Sequence, residues 1–298
     1  MELRDKVVLV TGANGFVGTY VSQRLLKEGM RVRAVVRKPE AGVELEQAGV
    51  EVLVGDFTDA RIQEVALRGA HCVVHTAASA APELAEARRV NVQATATLAE
   101  AALAAGCQRF VHISTVAVYP LKNRQGVVEE SSPMTTAGDA YALSKAEGEQ
   151  ALNAVVAKGL STVILRPAVI LGVHPSSTWG SVFPPLIAEG KFPHVDEGKT
   201  MFGYLHISSL TEAVVLALRV DAAAGQTFNI VDGHKPWHQY TRFFARGPQP
   251  SHDPDQLPEF LSFRGSFSNE KAQRVLGFVP RDVFESSMEE IVRAQPKQ

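Results

Sequence analysis

The stretch KVVLVTGANGFVGTYVSQRLLKEG (residues 6–29) constrains the fold more than any other part of the chain. An apolar β-branched run passes directly into Gly12, Gly15 and Gly18, spaced G-x-x-G-x-x-G, and then into an amphipathic helix. Glycines at a strand-to-helix junction permit a tight turn and close backbone approach to a pyrophosphate, which then rests on the helix amino terminus. The spacing departs from the G-x-G-x-x-G form, so its weight comes from the strand before it and the helix after it.

The next 140 or so residues repeat this alternation. Strands are expected near 6–11, 31–36, 50–55, 71–76, 108–115 and 161–167, and helices near 16–28, 60–68, 83–105 and 139–158. Most of the strand runs are continuously apolar, which indicates a sheet covered on both faces. Gly29, Gly106 and Gly159 follow three of the helices, where a left-handed cap is wanted. The pattern predicts an α/β fold, a Rossmann-type doubly wound parallel sheet.

Beyond residue 172 the alternation stops. Residues 173–204 are rich in Gly, Pro and Ser, with one short helix candidate. SSLTEAVVLALRV and QTFNIV then return to the main pattern, and two helices are expected near 268–276 and 283–294. The organisation read from this is a dinucleotide-binding domain over 1–171, rejoined by 205–231. A small substrate-binding lobe comprises 172–204 and 232–298.

Hydrophobic residues make up 45% of the 298 and charged residues 21%, with a net charge of −2 and no basic stripe. That balance argues against a nucleic-acid or membrane-surface partner. The amino terminus enters a strand without a secretory apolar segment, and no apolar run of spanning length follows, so a cytoplasmic location is expected. Cys72 and Cys107 adjoin apolar strand runs and are read as buried free thiols.

At the end of the second strand, an NAD site would place an acidic residue on the ribose 2′-hydroxyl. Here stand Arg37 and Lys38. A guanidinium suits a 2′-phosphate, so NADP(H) is preferred, with NAD(H) also admitted. Asp56, followed by Phe57 at the end of the third strand, can touch the adenine or cap the next helix.

YALSK (141–145) sets Tyr141 and Lys145 four apart, on one face of a helix. Taken with TGANGFVG (11–18), HTAA (75–78), VNV (90–92), STVAVY (114–119) and RPAVILG (166–172), it resembles the extended short-chain dehydrogenase/reductase family. LHISSLTEAVVLAL, FNIVDG and SNEKAQRVLGFVP resemble that family's later landmarks. The resemblance implies Tyr141 as acid/base, Lys145 as its partner and Thr115 as the hydroxyl residue, with Ser114 less suited to that place. It implies cofactor contacts from Asn14, Phe16, Val17, Thr76, Ala77, Ala78, Pro167 and Val169 besides the glycines, and Asn91 as a supporting residue. Ser79, Val116, Val182, Phe183, Leu186 and Phe202 would border the substrate. A homodimer through the helices at 83–105 and 139–158 is implied by analogy.

Pro120, Leu171 and the pair Ser208 and Ser209 stand where that family often carries Gly, Tyr and an acidic pair, departures that set the chain apart from its better-known nucleotide-sugar branches. The stretch from Arg166 to Leu210 is nearer the hydroxysteroid-dehydrogenase-like and flavonol-reductase-like branches.

A tyrosine base at neutral pH needs its pKa lowered by about three units, or about 4 kcal/mol. One cation at about 4.5 Å in an effective dielectric of about 20 supplies roughly 3–4 kcal/mol, a role expected of Lys145. No metal is expected, since His234 and His238 flank Pro236 in a loop and no HExxH motif occurs. His75 and His112 read as strand residues, while His194 and His206 are placed to edge the cleft. No G-x-S-x-G elbow suggests hydrolysis.

The leading reading is an NADP(H)-dependent oxidoreductase interconverting a ketone and a secondary alcohol in a small-molecule substrate. The alternative is a nucleotide-sugar epimerase or dehydratase with tightly bound NAD(P), for which Lys191, Lys199 and Arg264 are the candidate diphosphate cations. A dinucleotide-sensing regulator would have no need of Thr115, Tyr141 and Lys145 together.

Overall fold

A computed structural model describes residues 1–296. Residues 297 and 298, the end of the expected lobe, lie outside the described residues. The first half runs β1 (Val7–Thr11), α1 (Phe16–Lys27), β2 (Arg31–Val36), α2 (Val43–Gln47), β3 (Glu51–Val54), α3 (Ala60–Leu67) and β4 (Cys72–His75). It continues through α4 (Leu84–Arg88), α5 (Thr95–Ala104), β5 (Arg109–Ile113), β6 (Val127–Val128) and α6 (Ala140–Val156). The second half holds β7 (Thr162–Pro167), β8 (Val169–Leu171), α7 (Phe183–Ala188), β9 (Met201–His206), α8 (Ile207–Arg219), β10 (Gln226–Ile230) and β11 (Gly233–Pro236). It ends with α9 (Trp237–Thr241), β12 (Ser266–Phe267) and α10 (Phe284–Ala294).

Seven parallel strands form the central sheet in the order β10-β7-β5-β4-β1-β2-β3, the doubly wound arrangement expected. The apolar runs are continuous because both faces are covered. Val8 and Val10 of β1 join the core on one face, and Leu9 joins the core on the other. Val74 and Val73 of β4, and Val111 and Phe110 of β5, divide in the same way. Gly29, Gly106 and Gly159 all have positive φ, as their positions after helices require.

Two helical expectations are modified. The segment expected as one helix over 83–105 is interrupted by a π-turn at Arg89–Ala94 between α4 and α5. Such widened turns recur at functional sites, and this one carries Asn91. Gly148 of α6 makes the close approach possible, since a Cβ there would lie 2.3 Å from the Asn91 carbonyl oxygen. Near 268–276 only a short widened turn, Ala272–Leu276, forms before Gly277 ends it at φ +72°.

A three-stranded sheet, β11-β9-β8, and a two-stranded pairing of β12 with β6 stand outside the main sheet. An aromatic cluster including Phe192, Phe202, Tyr204, Trp237, Tyr240 and Phe284 forms a core of its own here. Among the described residues no helix is long and apolar enough to cross a membrane.

Candidate active site

Gly12 follows β1, Thr76 follows β4, Ser114 and Thr115 follow β5, and Ala168 follows β7. These strand ends share one edge of the sheet, at the point where the strand order reverses between β1 and β4. Two cavities open there, of about 540 and 580 Å³. They meet at Gly12, Gly15, Thr76, Ala78, Ala80 and Ser176.

The smaller cavity collects Asn14, Arg37, Asp56, Phe57, Ala77 and Ser79 with the shared glycines. Its floor needs glycine. At Gly12, with φ +67°, a Cβ would lie 2.8 Å from the Ala77 backbone; behind it, at Gly18 on the larger cavity, a Cβ would lie 2.1 Å from the Gly12 carbonyl oxygen. Gly15 opens α1 without a side-chain cap, and no acidic residue occupies the first turn, so the positive end of the helix faces the cavity uncompensated. Thr76 secures the end of β4 by donating its hydroxyl to the Thr11 carbonyl at 2.7 Å. The residues present therefore fit a dinucleotide.

Lys38 borders neither cavity. Of the two roles left open for Asp56, helix capping falls to Asp59, whose carboxylate accepts from the Arg61 N–H at 2.8 Å. Asp56 instead accepts from the Thr58 N–H at 2.9 Å, which holds its carboxyl below the usual range. Arg89, unread in the sequence, also borders this cavity, bonded to Thr58 Oγ1 at 3.0 Å and paired with Glu86.

The larger cavity contains Thr115, Tyr141 and Lys145 along with Phe16, Val17, Val116, Pro167 and Val169. Asp139 caps α6 by accepting from the Ala142 N–H at 2.8 Å, which places Tyr141 in the first turn and Lys145 one turn later. The Thr115 hydroxyl oxygen accepts from the Ala117 N–H at 3.1 Å, and the hydroxyl stands close enough to the Tyr141 phenol to favour its ionised form as a hydrogen-bonding group. Ser114 is engaged elsewhere, its hydroxyl donating to Glu149. Glu149 in turn is closed in a buried ion pair with Arg166 at 2.6 Å. Asn91 donates to the Ser79 carbonyl at 2.8 Å and to Ser144 Oγ at 2.9 Å, tying the π-turn to the end of β4 and to α6.

The expected electrostatics of Tyr141 are corrected. Burial pushes its phenol above the ordinary value; the Thr115 hydrogen bond opposes that rise and Asp139 adds to it. Lys145 does not supply the expected depression. Its ammonium donates to the Ile113 carbonyl at 2.8 Å and to His112 Nε2 at 3.3 Å. Burial lowers its own pKa to about 8, with Glu149 acting in the opposite direction. A phenol in this setting holds its proton at neutral pH, the state of a proton donor.

Phe183 and Phe202 line the larger cavity as expected. Ser79, Val182 and Leu186 do not: Ser79 lines the smaller cavity instead, Val182 is 51% exposed, and Leu186 is half-buried off the wall. A π-turn at Thr178–Val182 shifts the helical register, so that Trp179 and Phe183 reach the cavity while Val182 faces out. Trp179, Trp237, Phe260, Phe263 and Phe267 complete the wall, and the sequence did not single them out. Trp237 stacks on Phe202 at 4.2 Å and on Trp179 at 5.2 Å. His194 is buried against Thr241 and His206 caps α8, so neither edges the cleft. Lys191, Lys199 and Arg264 are absent from the wall and pair with Glu189, Glu197 and Asp196.

Residues 8–231 match the model of the NAD dependent epimerase/dehydratase family. A farnesyl-dihydroquinoline-oxide ketoreductase of Stigmatella aurantiaca is 30% identical over 227 residues, covering 75% of this chain and 67% of that protein. The UDP-glucose 4-epimerase of Vibrio cholerae is 30% identical over 241 residues, 77% of this chain and 71% of that protein. The dTDP-glucose 4,6-dehydratase of Streptomyces venezuelae, solved with NAD bound, superposes with a TM-score of 0.83 at 25% identity, covering 96% of each chain. With the glycine turn, the sheet order and the Thr115, Tyr141 and Lys145 constellation in place, the chain belongs to the NAD-dependent epimerase/dehydratase family, NAD(P)-dependent enzymes of the extended short-chain dehydrogenase/reductase type.

Proposed function

We propose that this enzyme reduces a ketone to a secondary alcohol on an uncharged, largely apolar substrate, with NADPH as the preferred cofactor. The observation carrying this reading is the wall beside Tyr141. It is largely apolar and rich in aromatic rings, and Lys145 is its only Lys or Arg among the described residues. A nucleotide-sugar diphosphate placed there would lose water around two phosphates in exchange for Lys145 alone, already bonded to Ile113 and His112 and accompanied by the acidic Asp139, an arrangement that costs several kcal/mol. Residues 172–204 and 232–296 supply most of the aromatic rings of that wall and are read as the substrate lobe.

In this reading, the dinucleotide is held by the turn at Gly12, Gly15 and Gly18, by Thr76 to Ala78, and by Pro167 and Val169. Asp56 and Phe57 face its adenosine part, and Arg37 its 2′-phosphate. Bound NADPH supplies the hydride. Thr115 donates a hydrogen bond to the carbonyl oxygen, and Tyr141 gives its proton to that oxygen as the carbinol forms.

The epimerase reading draws on the likeness to the Vibrio cholerae enzyme. A panel of apolar ketones, hydroxysteroids and nucleotide sugars, followed by NADPH consumption and product analysis, separates the two. Reduction of apolar ketones with UDP-sugars unchanged is expected; conversion of a UDP-sugar with no ketone reduced overturns the proposal.

A further inference from the structure

His112 is buried at the fourth of the five positions of β5, within a strand otherwise completed by apolar neighbours and Arg109. An imidazole there is costly unless its nitrogens are bonded. Its partner across the β4–β5 register, His75, meets that condition, with Nδ1 against Thr11 Oγ1 at 2.6 Å and Nε2 against Thr95 Oγ1 at 2.9 Å. His112 does not. Its Nε2 meets the Lys145 ammonium at 3.3 Å, and its Nδ1 has no partner among the described residues.

A charged lysine offers only hydrogens, so Nε2 must accept and the ring proton must sit on Nδ1. The two imidazoles stack at 5.3 Å, which holds the ring of His112 in place. The molecule thus keeps an unsatisfied buried N–H, a destabilising feature, and the hydrogen bond it obtains goes to a residue of the active site.

We propose that His112 is a positioning residue for Lys145. Together with the Ile113 carbonyl it takes up two of the three ammonium hydrogens, so the direction of the third, available to the cavity, is fixed. The neutral imidazole also favours the charged form of Lys145, against the burial that disfavours it. The titratable groups around this pair are His75 from β4, Tyr141, Lys145 and Glu149 from α6 with Asp139 at its cap, and Arg166 from β7, which is closed onto Glu149. Burial, reinforced by Lys145, holds His112 well below its ordinary pKa, so it stays a neutral acceptor across the working range.

The sign follows. With the acceptor removed, the ammonium loses stabilisation and Lys145 gives up its proton at lower pH. The test is NMR titration of full-length enzyme carrying 13Cε-lysine, with Lys145→Met to identify the signal. In the parent enzyme Lys145 is expected to titrate near pH 8. His112→Leu should move that titration down by on the order of one pH unit, a tenfold change in proton affinity. His112→Gln, whose amide oxygen can accept in place of Nε2, should restore most of it. If the leucine variant does not fold, His112→Met, also without an acceptor nitrogen and adaptable in packing, takes its place.

With a ketone found by the panel, turnover should fall about tenfold in the leucine variant and recover in the glutamine variant. An unchanged Lys145 titration in the leucine or methionine variant overturns the inference. So does a glutamine variant displaced as far as either of them. The turnover arm rests on the proposed ketone reduction, but the titration does not. If no ketone is reduced, that reaction fails while the titration still decides the role of His112.

Discussion

On the dinucleotide side, the cleft is made of backbone and short side chains, contributed by Gly12 to Gly18 and by Thr76 to Ala80. On the side proposed for the substrate it is rich in rings, contributed from Trp179 to Phe267 by segments that share no local pattern. The first surface can be read as a spacing, because its requirement is one of covalent geometry: a tight turn and an approach that no Cβ permits. The second is specified only by tertiary convergence. Tyr141 and Lys145 stand between the two, on a single helix whose start is set by Asp139.

Removing the proton donor should produce the largest effect. Tyr141→Phe keeps the ring and loses the hydroxyl, so turnover of a ketone substrate should fall by about 10²–10⁴-fold. NADPH affinity, measured by fluorescence titration, should stay near that of the parent. Undiminished turnover would remove Tyr141 from the mechanism and leave the junction of the two surfaces without its proposed chemistry.

A smaller effect is expected at the outer end of the dinucleotide surface. Arg37→Ser removes the guanidinium at the end of β2, so NADPH should bind about tenfold to a hundredfold more weakly. NADH, lacking the 2′-phosphate, should be little changed. Equal losses for both, or an NADH preference in the parent enzyme, would show that cofactor choice is set by something other than Arg37, with Arg89 the next group on that wall.

Legibility in the sequence follows the same division. The strand and helix spans of the central sheet were readable because continuous apolar runs and glycine caps are local signals, and the structure places those elements within a few residues of the expected spans. The π-turn at Arg89–Ala94 was not, since a widened turn uses ordinary helical residues and the space that admits it lies in α6, at Gly148. Thr115, Tyr141 and Lys145 line one cavity. Their electrostatics do not follow the simple pairwise estimate, because Lys145 is held by Ile113 and His112 and the burial of Tyr141 outweighs the Thr115 hydrogen bond. A histidine inside an apolar strand run reads as core, and only its missing second partner marks His112 as different. Val182 was misplaced for a related reason: residue type predicts an apolar wall, but the register within Thr178–Val182 decides which side chain reaches it.

The smallest expected effect tests whether the two surfaces are energetically separate. The chain has two tryptophans, and both line the larger cavity. Trp179 packs against Trp237, Phe183, Tyr240 and Phe260, so Trp179→Ala opens the wall without touching the glycine turn. The hydrogen bond from Tyr240 to residue 179 survives the change, because its acceptor is the backbone carbonyl. For a bulky apolar ketone, KM should rise about tenfold, equivalent to about 1.4 kcal/mol of lost aromatic contact. NADPH affinity should stay within about twofold, and Trp179→Phe should recover most of the loss. Trp237 remains as the fluorescent reporter of ligand binding in both variants. If Trp179→Ala weakened NADPH as much as the ketone, the rings would be holding the cofactor side in shape, and the contrast between a backbone-built half and a ring-built half would not extend to energetics.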